Sequence, residues 1–354
     1  MKIVHVICSL NTGGAELMLL DIIREQSASG HSVGLVVTNR SYEQALVDKI
    51  PGSVCTVFVN RPEGSHNPLW LLKINMAVRR FRPDIVHFHN DKGAGMCFPR
   101  LTGGRSVATV HDTNISLNHY LRLDRLYAIS VSVRDDLKSR YGIDAEVVIN
   151  GISTDRVKSN DGFKRPLPRV FKVVQVSRLD HGKKGQDLLI EAVSRLSDLG
   201  YKLSVDFIGD GSSCGFLQKL CGDKGISDRV HFLGTCSRDY VYEHLKDYNL
   251  LVQPSRYEGF GLTVAEAMAA KIPVLVSDIE GPMEVIGHGR FGHTFKCGSA
   301  DSLTAVLRSV LDNYQAAEDL AQGDAYDYAR TNFSVATSAS RYIDLYKSIV
   351  DTAK

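Results

Sequence analysis

Short apolar segments alternate with longer amphipathic segments along the chain. The first apolar segment, Lys2–Ser9, precedes a Gly-Gly turn and the stretch Ala15–Gln26, whose apolar residues have helical spacing. Short apolar runs bounded by turn residues are typical of buried strands, and strands that alternate with helices predict a parallel sheet covered on both faces. We predict further strands at His31–Thr38, Ile85–His89, Ser106–His111, Tyr127–Val131, Val170–Ser177, Lys202–Ile208, Val230–Leu233 and Ile272–Val276. The pattern predicts an α/β protein with doubly wound parallel sheets.

One polar stretch, Ser153–Arg169, interrupts this alternation. It contains several charged residues and two prolines but few apolar residues, which is typical of an exposed interdomain connection. The chain has 354 residues, which is long for a single domain. We therefore predict a first domain over residues 1–160 and a second over residues 161–333, followed by one long helix after Ser334.

The segment of residues 250–270 contains the clearest candidate for a ligand site. An apolar strand end is stopped by Pro254, a glycine-rich turn follows, and a helix begins at about Leu262. The first backbone N–H groups of a helix have no intrahelical acceptor, and together with the helix dipole they bind anions such as phosphate. The residues expected to form this phosphate cradle are Gly259, Phe260, Gly261, Leu262 and Thr263.

Two acidic residues flank the phosphate cradle. Glu258 precedes the glycine turn, and Glu266 lies eight positions later, about one turn into the helix. Ionised carboxylates accept hydrogen bonds from neutral hydroxyl groups. Two carboxylates beside a phosphate site therefore predict a ligand that carries both phosphates and vicinal hydroxyls, such as a sugar nucleotide.

A cationic loop follows the predicted strand Val170–Ser177. It carries Arg178, Lys183 and Lys184 before the next amphipathic helix. Ligands of open α/β sheets bind outside the carboxyl ends of the strands, and cations there suit a diphosphate.

The glycine-rich turns do not match the dinucleotide-binding fingerprint. The turn at Gly13 and Gly14 has no G-x-G-x-x-G, and the spacing from Gly209 to Gly215 is one residue too long. The sequence therefore gives no support to a nicotinamide or flavin enzyme.

The stretch PSRYEGFGLTVAEAMA closely resembles the E-x7-E signature of the retaining glycosyltransferases of family 4, with Glu258 and Glu266 as its two acids. The match covers sixteen consecutive residues, and the other motifs occur in the family's order over most of the chain. The resemblance implies a GT-B fold, in which two Rossmann-like domains face each other across a cleft. It also implies that the tail, residues 334–354, crosses back to the first domain.

The resemblance implies roles for individual residues. Arg178 and Lys184 would bind the diphosphate of the leaving nucleotide, with Lys183 as the fallback. His111, at the end of its strand, would contact the donor sugar, and Glu258 would act nearest the sugar ring. The remaining substrate-binding residues that it implies are Gly13, Gly14, Gly209, Asp210, Gly211 and, toward the ribose, Glu266.

The implied reaction is the retaining transfer of a hexose from a nucleotide diphosphate sugar, with a UDP-sugar favoured, to a hydroxyl of a glycan or lipid-linked glycan. Such reactions serve bacterial-type surface polysaccharide synthesis. Loops such as Arg61–Pro68 and Ile115–Tyr120 would set the donor and the acceptor, which the sequence does not identify. Two alternatives stay open: a nucleotide-sugar epimerase on the same fold, and a non-catalytic subunit that binds sugar nucleotides.

We expect no cofactor and no metal ion. No D-x-D motif occurs in the sequence, so Arg178 and Lys184 would take the role of a metal ion. The seven cysteines are scattered and form no C-x-x-C pair, which argues against disulfides and zinc. His87 and His89 share a strand face, but we identify no third ligand near them.

The first half of the chain is the more basic one. Residues 1–168 carry 21 Lys/Arg against 16 Asp/Glu, and Trp70–Arg82 is predicted to form an amphipathic helix with a cationic face. Such a face suits anionic lipid headgroups or a phosphorylated acceptor. The first ten residues lack the features of a signal peptide, and no segment reaches 18 consecutive apolar residues. We expect a cytoplasmic protein with a peripheral contact to the anionic inner face of the plasma membrane, and no nucleic-acid partner.

Overall fold

The computed structural model of the protein describes residues 1–11, 13–160 and 170–351. It contains two compact units. The first unit comprises Met1–Ile152 and Val335–Lys354, and the second comprises Ser153–Ser334. Part of the predicted interdomain connection, residues 161–169, lies outside the described residues.

The division between the units falls at Ile152, earlier than the expected boundary at residue 160. Two backbone hydrogen bonds explain the difference. The N–H of Lys158 donates to the carbonyl of Tyr242 at 2.9 Å, and that of Asn160 donates to the carbonyl of Ala270 at 2.8 Å. The residues after Ile152 are therefore part of the second unit.

A seven-stranded sheet forms the centre of the first unit. Its elements are β1 (Lys2–Ile7), α1 (Gly14–Ala28), β2 (Ser32–Asn39), α2 (Gln44–Val47), β3 (Cys55–Arg61), α3 (Pro68–Phe81), β4 (Ile85–Phe88), α4 (Asp91–Met96), α5 (Pro99–Thr102), β5 (Arg105–Val110), a 3₁₀ turn (Tyr120–Arg122), β6 (Arg125–Ala128), α6 (Val131–Tyr141) and β7 (Glu146–Val147). The strand order is β3-β2-β1-β4-β5-β6-β7, and all neighbours are parallel. The order reverses between β1 and β4, which is where sheets of this type bind ligands.

A six-stranded sheet forms the centre of the second unit. Its elements are β8 (Phe171–Val176), α7 (His181–Lys184), α8 (Gln186–Asp198), β9 (Leu203–Ile208), α9 (Cys214–Asp223), β10 (Val230–Gly234), α10 (Arg238–His244), a 3₁₀ turn (Leu245–Asp247), β11 (Leu250–Gln253), α11 (Leu262–Ala269), β12 (Val274–Ser277), α12 (Glu280–Val285), β13 (His293–Phe295), α13 (Ala300–Asp312), α14 (Tyr314–Gln322) and α15 (Asp324–Asn332). The order is β10-β9-β8-β11-β12-β13, again parallel throughout. Here the reversal lies between β8 and β11.

The last helix, α16 (Val335–Asp351), packs on the first unit. Its buried face, which includes Tyr342 and Tyr346, joins Ile3 of β1 and Ile22 of α1 in one hydrophobic cluster. The backbone N–H of Val335 donates to the carbonyl of Ile152 at 2.9 Å. The predicted tail helix is therefore present, and it completes the core of the first unit.

The predicted Rossmann-like units with parallel sheets are confirmed, but some element bounds differ. The strand expected at Tyr127–Val131 ends at Ala128, because Ser130 caps α6 by accepting a hydrogen bond from the N–H of Val133 at 3.2 Å. The edge strand β3 is only partly buried, so it lacks the continuous apolar run by which the other strands were predicted.

Candidate active site

The loops after β8 and β11 meet at the switch point of the second unit. Lys184, from the loop after β8, places its Nζ 2.5 Å from Oε2 of Glu258, from the loop after β11. The Lys184 side chain is 16% exposed and that of Glu258 is 18% exposed. The two charges are thus mostly shielded from water, but both remain accessible to a ligand.

Polar side chains at the end of β11 hold the carboxylate of Glu258. Its Oε2 accepts hydrogen bonds from Nε2 of Gln253 at 3.2 Å and from Oγ of Ser255 at 3.3 Å. Gln253 and Ser255 are themselves buried, and Nε2 of Gln253 also donates to Oγ of Ser255 at 2.9 Å. Glu258 therefore keeps one orientation before any ligand arrives.

Arg256, from the loop after β11, binds the segment that follows β8. The guanidinium of Arg256 forms two hydrogen bonds with the carboxylate of Asp187, at 2.8 and 2.9 Å, and it also donates to the carbonyl of His181 at 2.6 Å. Gly185 has a φ of +68°, and a Cβ added there would lie 1.9 Å from the carbonyl oxygen of Pro254. Only glycine allows the loops to approach this closely.

The glycine turn and the helix start that were predicted to bind phosphate are found at the start of α11. Gly261 has a φ of +107° and forms the N-cap, so the helix begins at Leu262 as predicted. Leu262 and Thr263 occupy the first two helical positions, where backbone N–H groups lack intrahelical acceptors. The turn packs tightly against α12, because a Cβ on Gly281 would lie 2.4 Å from the carbonyl oxygen of Glu258.

One cradle residue differs from the expectation. The Phe260 side chain is 2% exposed and packs edge-on against Phe333, with ring centroids 5.6 Å apart. Its ring is part of the hydrophobic core, which anchors the turn. A ligand can contact Phe260 only through the backbone.

Glu266 lies in a different environment from Glu258. It is 6% exposed on α11, and its Oε1 lies 3.5 Å from Nε of Arg238. Arg238 begins α10 and is not part of any motif that we identified in the sequence. Only the tertiary structure brings this cation to the second acid, because the two residues lie 28 positions apart in the chain.

The remaining predicted residues of the second unit lie on the loops after β8 and β9. Arg178 is exposed, and among the described residues it has no ion-pair partner. Gly209 and Gly211 allow close approach of the two loops, because a Cβ would lie 2.0 Å from the carbonyl oxygen of Ser177 and 2.4 Å from that of Leu179, respectively. The carboxylate of Asp210, between the two glycines, accepts a hydrogen bond from the N–H of Gly211 at 2.7 Å.

The first unit presents His111 and the glycine turn at the carboxyl ends of β5 and β1. Gly13 is the N-cap of α1 in an extended conformation, and Gly14 is the first helical residue. Both ring nitrogens of His111 are buried and have no hydrogen-bond partner among the described residues. Burial lowers the pKa of His111 to about 4, so the ring is neutral at pH 7. A buried polar group without a partner is costly unless a ligand or water satisfies it.

A third potential metal ligand lies beside His87 and His89, so the prediction that they lack one is wrong. His5 of β1 is paired in register with His87 of β4, and a nitrogen of each of the three rings lies within 4.8 Å of the others. The three side chains could therefore hold a metal ion. The sequence signal for this cluster is the placement of three histidines at the same phase of two strands.

Hydrogen bonds already occupy most nitrogens of this histidine cluster, which comprises His5, His87 and His89. His5 bonds to His89 at 2.9 Å and to Oε1 of Gln26 at 2.8 Å. His87 bonds to the hydroxyls of Tyr346 at 2.6 Å and Thr109 at 2.7 Å. Burial lowers the pKa of His5 to about 4, and it lowers the pKa values of His87 and His89 well below their usual range. The cluster is thus an uncharged, hydrogen-bonded part of the core.

Comparison with known proteins decides the family. The model for glycosyl transferases group 1 matches residues 159–325, and the model for glycosyltransferase family 4 matches residues 12–156. The chain belongs to the group 1/family 4 glycosyltransferases. This confirms the resemblance found in the E-x7-E segment, and it makes the protein a glycosyltransferase.

Relatives of this glycosyltransferase share its length and fold. It is 23% identical to alpha-D-kanosaminyltransferase of Streptomyces kanamyceticus over 79% of this chain and 81% of that protein. It is 27% identical to the lipopolysaccharide core biosynthesis glycosyltransferase LpsE of Rhizobium meliloti, over 68% and 70%. The crystal structure of HepE from Anabaena in complex with UDP and glucose has a TM-score of 0.83 at 23% identity, covering 98% of this chain and 100% of that chain. The predicted GT-B fold is confirmed.

The helices that the structure describes include none that could span a membrane. Within residues 1–11, 13–160 and 170–351, no helix combines the length and the apolar character that crossing a bilayer requires.

Proposed function

We propose that this glycosyltransferase transfers a hexose, with retention of configuration, from a nucleotide diphosphate sugar to a hydroxyl of a glycan or lipid-linked glycan. A UDP-sugar is the favoured donor, because the fold is shared with HepE, which was solved with UDP and glucose. The acceptor class follows from relatives such as LpsE, which is named for lipopolysaccharide core synthesis. Surface polysaccharide or glycolipid synthesis is the proposed context.

The observation that carries this proposal is the pair of Lys184 and Glu258 beside the start of α11. The 2.5 Å contact uses one N–H of the ammonium group, and the other two can donate to phosphate oxygens. The diphosphate would occupy the amides of Leu262 and Thr263, with Lys184 between it and Glu258. Negative charge builds on the diphosphate as it leaves, and preorganised donors at that point lower the barrier.

Arg178 supplies a second cation on the same loop. Its exposed guanidinium is available for the diphosphate. Together, Arg178 and Lys184 would do the work of a divalent metal ion, so we propose that transfer needs none. Addition of a chelator should leave the rate unchanged, and restoration of activity by Mg²⁺ or Mn²⁺ would contradict this part.

The two glutamates would contact different parts of the donor. Glu258 lies before the cradle and would accept hydrogen bonds from sugar hydroxyls as the ring flattens toward an oxocarbenium ion. Glu266 lies deeper, beside Arg238, and would accept from the ribose. In the first unit, the unpartnered nitrogens of His111 would bond to a hydroxyl of the transferred sugar.

A basic and apolar surface of the first unit supports peripheral membrane docking. Leu69, Leu72 and Met76 of α3 are exposed, at 61%, 54% and 44%, together with Leu101 of α5 at 46%. A pocket of about 360 Å³ beside them is lined by Arg79, Arg82 and Arg100. Exposed leucines next to arginines match a bilayer surface with anionic headgroups.

A donor panel tests the central proposal. Thermal unfolding is measured with UDP-, GDP- and ADP-sugars, and a donor at 100 times its Kd should stabilise the chain by about 2.7 kcal/mol. Slow hydrolysis of the stabilising donor is then followed without acceptor. Conversion of the donor into another sugar nucleotide would favour the epimerase alternative, and binding without any turnover would favour the non-catalytic subunit.

A further inference from the structure

The first unit contains a pocket of about 490 Å³ that none of the proposed donor residues lines. Its walls come from the carboxyl ends of β1 to β4, at the switch point of the sheet. Two of the loops expected to set the donor and the acceptor, which the sequence does not identify, come together there. One begins at Arg61, and the other contains His119.

The lining of this pocket carries excess positive charge. Its ionic residues are the cations Arg61 and Lys92 and the acid Glu63. The guanidinium of Arg61 donates to two neutral oxygens, Oδ1 of Asn39 at 3.1 Å and the carbonyl of Ser65 at 2.6 Å. In the part of the chain that the structure describes, neither Arg61 nor Lys92 forms an ion pair with a carboxylate.

The neutral residues of the pocket do not offset this charge. Cys8 lines the same wall, and burial raises the pKa of its thiol, so the sulfur stays protonated. The ring of His119 covers Gly95, where an added Cβ would lie 2.6 Å from the imidazole. The pocket thus has two cations, a polar rim and a volume that suits a monosaccharide unit.

The pocket is built before a ligand arrives. Asn39 is 8% exposed and fixes the position of the Arg61 guanidinium. The backbone at His119 is also fixed, because Oδ1 of Asp91, which does not line the pocket, accepts hydrogen bonds from the N–H groups of His119 at 2.8 Å and Tyr120 at 3.0 Å. Fixed donors reduce the entropy that ordering a site on binding would cost.

We propose that this pocket binds an acid group, a carboxylate or a phosphate, of the sugar acceptor, and that Arg61 and Lys92 select anionic over neutral acceptors. The proposal rests on the glycosyltransferase activity proposed above. Two N–H groups of the Arg61 guanidinium are held by Asn39 and Ser65, and the others can form charge-assisted hydrogen bonds with the acid. Glu63 lies on the same lining and can accept from a hydroxyl of the same unit.

Three probes on one scaffold test the assignment: glucose, glucuronate and glucose 6-phosphate. Their affinities for the full chain are measured by titration calorimetry with UDP present. We expect at least one anionic sugar to bind about 10-fold or more tightly than glucose, as hydrogen bonds to charged groups predict. Tighter binding of glucuronate alone identifies a carboxylate acceptor, and tighter binding of glucose 6-phosphate alone identifies a phosphate.

Variants that remove a cation test which residues bind the anionic sugar. Lys92→Gln removes a cation that has no ion-pair partner within the described residues, and it should lose about 10-fold of the anion's affinity. Arg61→Gln should lose at least as much. Arg125→Gln, which removes an exposed cation at the start of β6, is the control and should retain the affinity. Equal affinities for the three sugars, no effect of Lys92→Gln, or an equal loss in Arg125→Gln would overturn the assignment.

Donor binding separates this proposal from the one on which it rests. Stabilisation by UDP should be the same in Lys92→Gln as in the natural chain. A protein that binds the anionic sugar through Lys92 but is not stabilised by any sugar nucleotide would contradict the proposed transfer and leave the anion pocket intact.

Discussion

The two units carry opposite kinds of polar chemistry on similar parallel sheets. In the second unit the switch point holds ion pairs, with Lys184 against Glu258 and Arg256 against Asp187. In the first unit the strands β1 and β4 and the residues after β4 and β5 carry uncharged histidines, most of them bonded to one another or to hydroxyl and amide groups. Parallel strands fix where a ligand binds, whereas the side chains after them decide what charge it carries.

The histidine cluster shows how the first unit keeps its interior neutral. His5, His87 and His89 are fully or almost fully buried, and burial disfavours their charged forms. The second unit instead keeps charges near its surface and holds them with carboxylates. We therefore expect the units to respond differently to loss of a cation and to acid.

The largest expected effect is the loss of Lys184. Lys184→Ala should lower kcat/KM by about 100-fold or more, because removal of one preorganised electrostatic donor costs about 2.7–4 kcal/mol. Binding of UDP should weaken, whereas that of UMP should change little. Steady-state kinetics and calorimetry measure both quantities. Lys183→Ala is the matched control, and an equal loss in that variant would move the role to the neighbouring lysine. Arg178→Ala should resemble Lys184→Ala.

Substitutions of the two glutamates should affect different kinetic parameters. Glu258→Gln should mainly lower kcat and should not weaken UDP binding, because it frees the ammonium of Lys184 from its carboxylate partner. Glu266→Gln should mainly raise the donor KM and weaken UDP binding, and it should also lower the melting temperature because Arg238 stays buried.

Glu191→Gln, in a partly exposed ion pair of α8 with Arg195, is the matched control for both glutamates. Weaker UDP binding in Glu258→Gln than in Glu266→Gln would reverse the assignment of roles. A glycosyl group trapped on Glu258, detected by intact mass, would also contradict it.

Acid should destabilise the first unit before the second. A histidine whose pKa is 6.5 when unfolded and about 4 when folded binds more protons in the unfolded chain throughout that window. Stability is therefore complete above pH 6.5 and falls by about 1.4 kcal/mol per pH unit for each such group as the pH drops toward 4. Trp70, the single tryptophan, lies on α3 and reports unfolding of this unit by its fluorescence.

A variant tests the source of this pH dependence. His111→Asn should make the free energy of unfolding depend less steeply on pH. His66→Asn, at an exposed position, should leave this dependence unchanged. A first unit whose stability stays constant between pH 6.5 and 4 would show that the histidines are not neutral in the fold.

The smallest expected effect concerns the membrane surface. The chain should sediment with anionic vesicles at low salt and much less at high salt, because the attraction is screened beyond about 8–10 Å. The double variant Arg79→Gln/Arg100→Gln should weaken binding by about 1 kcal/mol for each cation, and Arg125→Gln should not. Binding that is insensitive to salt, or unchanged in the double variant, would argue against docking through α3 and α5.

The sequence by itself determined the architecture and half of the candidate donor site. Short apolar runs and period-3.6 patterns are local, so they predicted the order of strands and helices. The glycine turn before Leu262 is also local, because residues 258–266 are consecutive and helix geometry fixes their spacing. The cradle and Glu258 could therefore be predicted together, and the cations after β8 could be predicted from their own segment.

Only the tertiary structure decided which side chains meet across strands. Arg238 reaches Glu266 only because the fold brings the start of α10 to α11, and His5 completes the histidine cluster because β1 pairs with β4 as well as with β2. Arg61 and Lys92 share a pocket for the same reason. Such contacts join residues far apart in the chain, and no local pattern of apolar or polar positions records them. The burial of the Phe260 ring also follows from tertiary packing, because the ring packs against Phe333.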